Sequence, residues 1–136
     1  MNQPFLSAVI IAYNEAQNIE RCLLSLQAVA DEIVVVDSGS TDDTVMKSES
    51  MGARVLNHPF EGHIQQKNWA ANQAKGQWII SLDADESLGE ELKASLLEWK
   101  KSVHDSRAYR FNRLTSYCGH WVRHGGWYPD QKLRLW

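Results

Sequence analysis

No stretch of this sequence approaches the ~18 consecutive apolar residues of a membrane-spanning helix, and its longest apolar run covers only Ala8 to Tyr13. The opening Met1-Asn2-Gln3-Pro4 lacks the basic region and long apolar core of a signal peptide. Cysteine is scarce as well. Cys22 and Cys118 have neither metal nor redox spacing, so two free thiols in a cytoplasmic protein are the plain expectation. No G-x-G-x-x-G is present, which disfavours dinucleotide binding on the first loop. The P-loop pattern G-x-x-x-x-G-K-[ST] is missing too. Repeats, low-complexity tracts and flexible linkers are absent.

What remains suits one globular domain: 136 residues, 43% hydrophobic and 23% charged, are enough for a single core. The net charge of −3 hides an asymmetry. Residues 1–100 hold 7 Lys/Arg against 15 Asp/Glu, while residues 101–136 hold 7 against 2. Trp121, Trp127 and Trp136 also lie in that basic stretch. An acidic body with a basic, aromatic tail suits two ligand surfaces of opposite character. Arg110, Arg113 and Arg134 alternating outward on solvated strands would fit the same counts.

Residues 6–12 read as a first strand. Asn14-x-x-Gln17 resembles a capping box, and Ile19, Cys22, Leu23 and Leu26 follow at i, i+3, i+4 and i+7, one face of a helix. Residues 32–36 are apolar and β-branched, as in a strand covered on both faces, and they end at Asp37. A second helix follows, with Ser40-x-x-Asp43 as its capping box and Gly52 as its C-terminal cap after Met51. Residues 53–56 read as a third strand, 58–62 as a loop, and 63–75 as a third helix closed by Gly76. Residues 77–82 read as a fourth strand and 90–101 as a fourth helix. This alternation predicts an α/β fold, a doubly wound and mostly parallel sheet with helices on both faces. The pattern changes after Val103: 108–114 reads as a strand, 119–130 as a loop, and 132–136 as another strand.

Three strand ends converge on the edge where open α/β sheets bind ligands: Tyr13-Asn14-Glu15, Asp37-Ser38-Gly39-Ser40 and Asp83-Ala84-Asp85. The last is the most informative. Strand alternation would project Asp83 and Asp85 to the same side, where two carboxylates repel unless a cation sits between them. Mg²⁺ is typically held by one or two carboxylates plus phosphate oxygens, so the tripeptide points to an enzyme acting on a nucleotide. An acidic residue ending the second strand suits ribose hydroxyls or a base N–H. Simpler roles stay open for these residues: Asp37 as a helix cap, Tyr13 as a packed aromatic, Asp83 and Asp85 as a solvated turn. Lys67 is equally compatible with a solvated helix position. His120-x-x-x-His124 does not read as a zinc site, since Gly119, Gly125 and Gly126 argue against a helix there and no further ligand completes it.

In order and spacing, Val9-Ile10-Ile11-Ala12-Tyr13-Asn14-Glu15, the run from Glu32 through Asp37-Ser38-Gly39-Ser40-Thr41-Asp42, and Ser81-Leu82-Asp83-Ala84-Asp85-Glu86 resemble the family-2 glycosyltransferases of the GT-A fold. The resemblance covers essentially the whole chain. Arg123-His124-Gly125-Gly126-Trp127-Tyr128-Pro129-Asp130 with Leu133-Arg134-Leu135 is similar to the branch that builds lipopolysaccharide or lipooligosaccharide cores. The resemblance implies a nucleotide-sugar part at 1–103 and the start of an acceptor part at 104–136. It implies inverting, metal-dependent transfer from a nucleotide-sugar donor, a UDP-sugar, to a glycan or lipid-linked oligosaccharide acceptor. Ala12, Tyr13 and Glu15 would line the base and ribose, with Tyr13 stacking on the base. Asp37 would accept a hydrogen bond from the base, with Ser40 beside it. Lys67 would lie near base and phosphates, Asp83 would approach the ribose, and Asp85 would coordinate Mn²⁺ or Mg²⁺. The general base of the family is an Asp or Glu beyond the Gly-Trp-Tyr-Pro-like segment, and Asp130 is the one acidic residue in that region. The chain is therefore expected to be an N-terminal portion. Its basic, Trp-rich tail suits peripheral contact with the cytoplasmic face of the inner membrane, and no nucleic-acid partner is expected. A non-catalytic nucleotide-sugar binding module is the alternative. A sugar nucleotidyltransferase ranks lower, because the first loop lacks glycine and a nearby basic residue.

Overall fold

Alternation along the first strand sets the layering. In β1 (Leu6–Ala12) the even positions Leu6, Ala8, Ile10 and Ala12 face one buried cluster, while Val9 and Ile11 face another. A strand apolar on both sides has to be central and covered twice. The computed structural model describes residues 3–102, 108–117, 120–122 and 130–136 and shows that arrangement. The elements continue as α1 (Ile19–Gln27), β2 (Glu32–Asp37), α2 (Thr44–Ser50), β3 (Arg54–Asn57), α3 (His63–Gln73), β4 (Trp78–Asp83), α4 (Glu90–Lys101), β5 (Tyr109–Arg113), β6 (Thr115–Tyr117), β7 (His120–Val122) and β8 (Asp130–Leu135). The main sheet has the order β3-β2-β1-β4-β8-β5, and β6 and β7 form a separate antiparallel pair.

The first four strands of that order are parallel, as predicted. β8 runs antiparallel between β4 and β5. A strand that arrives last in the chain thus enters the middle of the sheet, a neighbour choice that its own alternation does not encode.

Helices α1 and α4 cover one face. Ile19, Cys22, Leu23 and Leu26 of α1 and Leu96 of α4 join Leu6, Ala8, Ile10, Val35 and Ile80 there. Helix α3 covers the other face through Ala70 and Trp69, against Val9, Val34 and Val36. Each fully buried Leu, Ile or Val contributes roughly 1.5–3 kcal/mol relative to exposure. Trp99 of α4 ties the helix down further, with its ring 5.0 Å from Trp78 and 5.5 Å from Phe5.

Several local expectations are corrected. Helix α1 begins at Ile19 with Asn18 at its N-cap, and no capping box forms from Asn14 and Gln17. Asn14 instead accepts the Thr41 amide at 2.8 Å. The Ser40–Asp43 box is likewise absent, because Ser40 donates its hydroxyl to Asp37. Gly52 does end α2: at φ +88° it donates to Glu49 O while Ala53 donates to Ser48 O, the paired bonds of a Schellman cap. Gly76 does not close α3, which stops at Gln73. Its place is beside Ser7 of β1, whose hydroxyl accepts the Gly76 amide at 2.8 Å. The alternative of three arginines alternating outward on solvated strands holds for Arg110 and Arg113, which are exposed, and fails for Arg134, which is buried.

Candidate functional site

The order β3-β2-β1-β4 means that the chain winds one way from β1 and then crosses to its other side. The switch point is thus the crevice between β1 and β4, the place where such sheets bind ligands. A cleft of about 650 Å³ lies there. Ile11, Ala12, Tyr13 and Glu15 line it from the end of β1, and Asp83, Ala84 and Asp85 from the end of β4. Ser38 enters after β2, and Phe60, His63 and Gln66 come from α3 and the loop before it.

The first wall is held by bonds between two loops. Asn14 has φ +51°, a left-handed conformation that Asn tolerates better than most residues. Its amide donates to Ser40 Oγ at 2.8 Å, and the Glu15 amide donates to Thr44 Oγ1 at 2.8 Å. The Ala16 amide reaches Asp42 Oδ2 at 3.1 Å. Thr44 in turn donates its hydroxyl to Asp42, which holds the Asp42 carboxyl below its ordinary value. These bonds satisfy loop amides that no strand or helix pairs, and they leave Tyr13 projecting into solvent, 57% exposed.

Asp37 is buried, at 1% exposure. Its Oδ2 accepts the Gly39 and Ser40 amides at 3.0 and 2.8 Å, and its Oδ1 accepts the Ser40 hydroxyl. Asp37 and Ser40 thereby build the turn that presents Ser38, and neither borders the cleft. Lys67 does not border it either, but its Nζ lies 3.1 Å from Asp83 Oδ1. That oxygen is sealed from solvent and accepts no aligned hydrogen bond, so the contact is electrostatic. Both side chains are more than a third exposed overall, which limits the pair's contribution to stability to about 1 kcal/mol at most.

Strand alternation does not carry Asp83 and Asp85 to the same side, because β4 stops at Asp83. Residues 83–86 form a turn, closed by the Glu86 amide on Asp83 O at 2.9 Å. The turn still brings both carboxylates to the cleft. Asp85 is exposed, and its carboxylate has no hydrogen-bond or ion-pair partner among the described residues. Beneath the turn lies Cys22, a free, buried thiol 3.7 Å from Asp83 O. Burial, and then the negative charges of Glu86 and Asp85, push the Cys22 thiol up to about 12. Native protein at pH 8 is expected to leave Cys22 unalkylated, with labelling only on unfolding, as peptide mapping can separate from Cys118. Rapid native labelling would contradict this burial beneath the turn. Cys118 itself lies outside the described residues.

Ala12, Tyr13, Glu15, Asp83 and Asp85 are therefore gathered at one cleft, whereas Asp37, Ser40 and Lys67 stand behind its walls. Asp130 opens β8, paired with Arg113, and its side chain lies outside what the structure describes. Antiparallel pairing of Ile80 with Leu135 sets the start of β8 at the same end of the sheet as Asp83. His120 enters β7, while His124 and the segment 123–129 lie outside the described residues. Sequence reasoning missed Phe60, His63 and Gln66. The spacing 63, 66, 67 on one helix turn was the available signal. Gln66 is pinned by His58, through Nδ1 at 2.9 Å and through the carbonyl at 3.3 Å.

A family model for glycosyl transferase family 2 matches residues 7–130. The chain belongs to this glycosyltransferase family. It is 40% identical over 120 residues to the lipopolysaccharide core biosynthesis glycosyltransferase LpsC of Rhizobium meliloti, covering 85% of this chain and 44% of LpsC. It is 49% identical over 88 residues to an uncharacterized glycosyltransferase of Rickettsia bellii, covering 65% of this chain and 30% of that protein. This glycosyltransferase chain thus spans less than half the length of these relatives. Among solved structures it is similar to TarS 1–349 of S. aureus, with a TM-score of 0.58 and 28% identity over 71% of this chain and 32% of that one. It is also similar to the glucosyl-3-phosphoglycerate synthase of Mycobacterium tuberculosis in complex with Mn²⁺, UDP and glucosyl-3-phosphoglycerate. There the TM-score is 0.53 and the identity 27%, over 62% of this chain and 36% of the synthase.

Proposed function

We propose that this chain supplies the donor-binding part of an inverting, metal-dependent glycosyltransferase that moves a sugar from a UDP-sugar to a lipopolysaccharide-core or similar glycan. The observation that carries this is the exposed Asp85 carboxylate at the switch-point cleft, without a partner among the described residues, next to an Asp83 that is paired with Lys67. The likeness to LpsC favours the acceptor class, and the UDP and Mn²⁺ bound by the mycobacterial synthase favour the donor and metal.

The residues fit a divalent metal that shares its shell with a nucleotide. Among the described residues no cluster of three or more His, Cys, Asp or Glu could hold an ion alone. A hard cation such as Mg²⁺ or Mn²⁺ accepts one or two carboxylates when phosphate oxygens complete the shell. Asp85 would hold it, and when bound it stabilises the negative charge that grows on the departing diphosphate.

The rest of the chemistry belongs to the chain. Tyr13 offers an exposed ring for stacking on the base, flanked by Ala12 and Glu15. Asp37 and Ser40 contribute through the turn that holds Ser38 at the cleft wall. Asp83 faces the ribose, and Lys67, 3.1 Å from its Oδ1, adds positive potential toward the phosphates. Positive charge develops at the anomeric carbon as the acceptor hydroxyl attacks in line, and a carboxylate at this end of the sheet takes the hydroxyl proton. Asp130 is the candidate for that base within this chain. Exposed Arg110 and Arg113 with Trp136 suit peripheral contact with an anionic membrane surface. No helix among the described residues is long and apolar enough to cross a membrane.

Calorimetric titration of UDP into the chain is expected to show binding that Mn²⁺ tightens at least about tenfold, or ~1.4 kcal/mol. Binding indifferent to Mn²⁺, or none, overturns the proposal. Metal-dependent binding without sugar transfer or donor hydrolysis identifies a donor-binding module instead. Pyrophosphate release from a nucleoside triphosphate identifies a nucleotidyltransferase.

A further inference from the structure

We propose that Arg134 of β8 is a positioning residue for the 83–86 turn, and through the turn for the Asp85 carboxylate; this rests on the donor-site reading above. Apart from the Glu86 side chain, the turn has little support. One backbone bond closes it, and Arg21 donates to the Asp85 carbonyl from an exposed position at 3.2 Å. The Asp85 carboxylate has no hydrogen-bond or ion-pair partner among the described residues.

Glu86 points inward instead. Its side chain is 18% exposed, and that of Arg134 is 9% exposed. Arg134 Nη1 donates to Glu86 Oε1 at 2.8 Å and Nη2 to Oε2 at 2.9 Å, a two-bond fork. Nη1 also reaches the Ser81 carbonyl at 3.2 Å. Glu86 Oε1 accepts the Asp83 amide at 2.8 Å in addition. One guanidinium thus grips the chain before the turn at Ser81 and at its last residue, Glu86, so Asp83, Ala84 and Asp85 are spanned from both sides.

The charge balance works the same way. Lys67 already faces Asp83, so without Arg134 Glu86 would stand as a second unneutralised carboxylate beside Asp85, and their repulsion would spread the turn. Lysine cannot replace this grip, because a point charge lacks the planar fork that matches a carboxylate. Arg134 belongs to the basic C-terminal stretch, while the carboxylates belong to the acidic body. The antiparallel insertion of β8 next to β4 is what brings them together.

The test combines amide hydrogen exchange on the ligand-free chain with UDP titrations, with and without Mn²⁺, for Arg134→Lys, Arg134→Met and the exposed control Arg110→Met. Arg134→Lys is expected to speed exchange at the Asp83 and Glu86 amides about tenfold, leaving Ile10 and Val35 unchanged, and to cut the Mn²⁺ enhancement of UDP affinity by about tenfold, the range for groups that orient a metal ligand. Metal-free UDP affinity should stay within about twofold, since Ala12 at the end of β1 and Tyr13 and Glu15 in the loop after it share no partner with Arg134. Arg110→Met should change none of these. Unchanged exchange at Asp83 and Glu86 overturns the proposal, and so does an equal rise at Ile10 and Val35, which would mean general loosening. If Arg134→Met fails to fold, Arg134→Lys carries the test. A wild-type chain that binds no UDP removes the donor-site reading, and exchange at the two amides then decides the clamp by itself.

Discussion

Asp85→Ala is expected to abolish the Mn²⁺ enhancement of UDP binding, and in an active full-length context to lower transfer at least about 1,000-fold, which corresponds to ~4 kcal/mol of lost transition-state stabilisation. The fold should hardly respond. Asp85 is exposed and has no partner among the described residues, so its removal falls in the class of surface changes worth within about 0.5 kcal/mol. Its charge is felt locally, since together with Glu86 it helps to raise the Cys22 thiol. Removing it relieves repulsion in the free chain. Unchanged thermal stability with loss of metal-dependent binding is therefore the expected pair of results. Asp85→Asn should behave the same way, because an amide keeps the shape but not the charge that a hard cation requires. If either variant retains wild-type Mn²⁺ dependence, the metal is held elsewhere. Asp83→Ala is a less clean probe, as it also strips Lys67 of its ion-pair partner.

How far the sequence could anticipate this site depends on the range of the interactions involved. Strands β1 and β2 and helix α1 were legible because their burial follows local periodicity, and α4 runs over the predicted residues 90–101. The order of the acidic and aromatic strand ends was legible too. Capping was not. Asn14 and Ser40 look like local caps in the sequence, yet they are joined across 26 residues, and Asp37 takes the Ser40 hydroxyl that a local box would have used. A side-chain oxygen satisfies whichever amide tertiary structure brings near, and a three-residue spacing cannot rank a distant competitor. The Asp83–Asp85 geometry failed for a related reason: alternation holds only while a strand lasts, and this strand ends inside the motif. The sequence does not single out Arg134 among the basic residues of the C-terminal stretch, because nothing in its neighbourhood states that β8 will lie against β4. Phe60 carries no motif, and the 63, 66, 67 spacing marks a helix face without stating that α3 packs across the β1–β2 face at the cleft.

Gly76→Ala is expected to destabilise the chain by about 3 kcal/mol, in the range for overpacking a tight site, and to lower its Tm by roughly 10 °C for a domain of this size. The reason is space and not backbone freedom, since Gly76 does not adopt a positive φ. A Cβ there would stand 2.6 Å from Ser7 Oγ, 2.8 Å from the Ser7 backbone nitrogen and 3.0 Å from the Trp78 carbonyl. Two of those three atoms are backbone and cannot swing aside. The same residue donates its amide to Ser7 Oγ at 2.8 Å, and the Trp78 amide then reaches Phe5 O at 2.9 Å. Gly76 is thus the point where β4 comes alongside β1, ahead of the pairing of Leu6 with Trp78. Gly39→Ala supplies the contrast. At φ +96° it is strained, but its Cβ would meet nothing within 4 Å, so its cost should be only about 1–2 kcal/mol. Denaturant titration of the two variants separates a steric from a conformational requirement, and a Gly76→Ala chain as stable as Gly39→Ala would contradict the steric account. Because β1 and β4 carry the two facing walls of the cleft, Ala12 and Tyr13 on one side and Asp83 and Asp85 on the other, pushing these strands apart at Gly76 should also weaken Mn²⁺-dependent UDP binding, even where the variant remains folded.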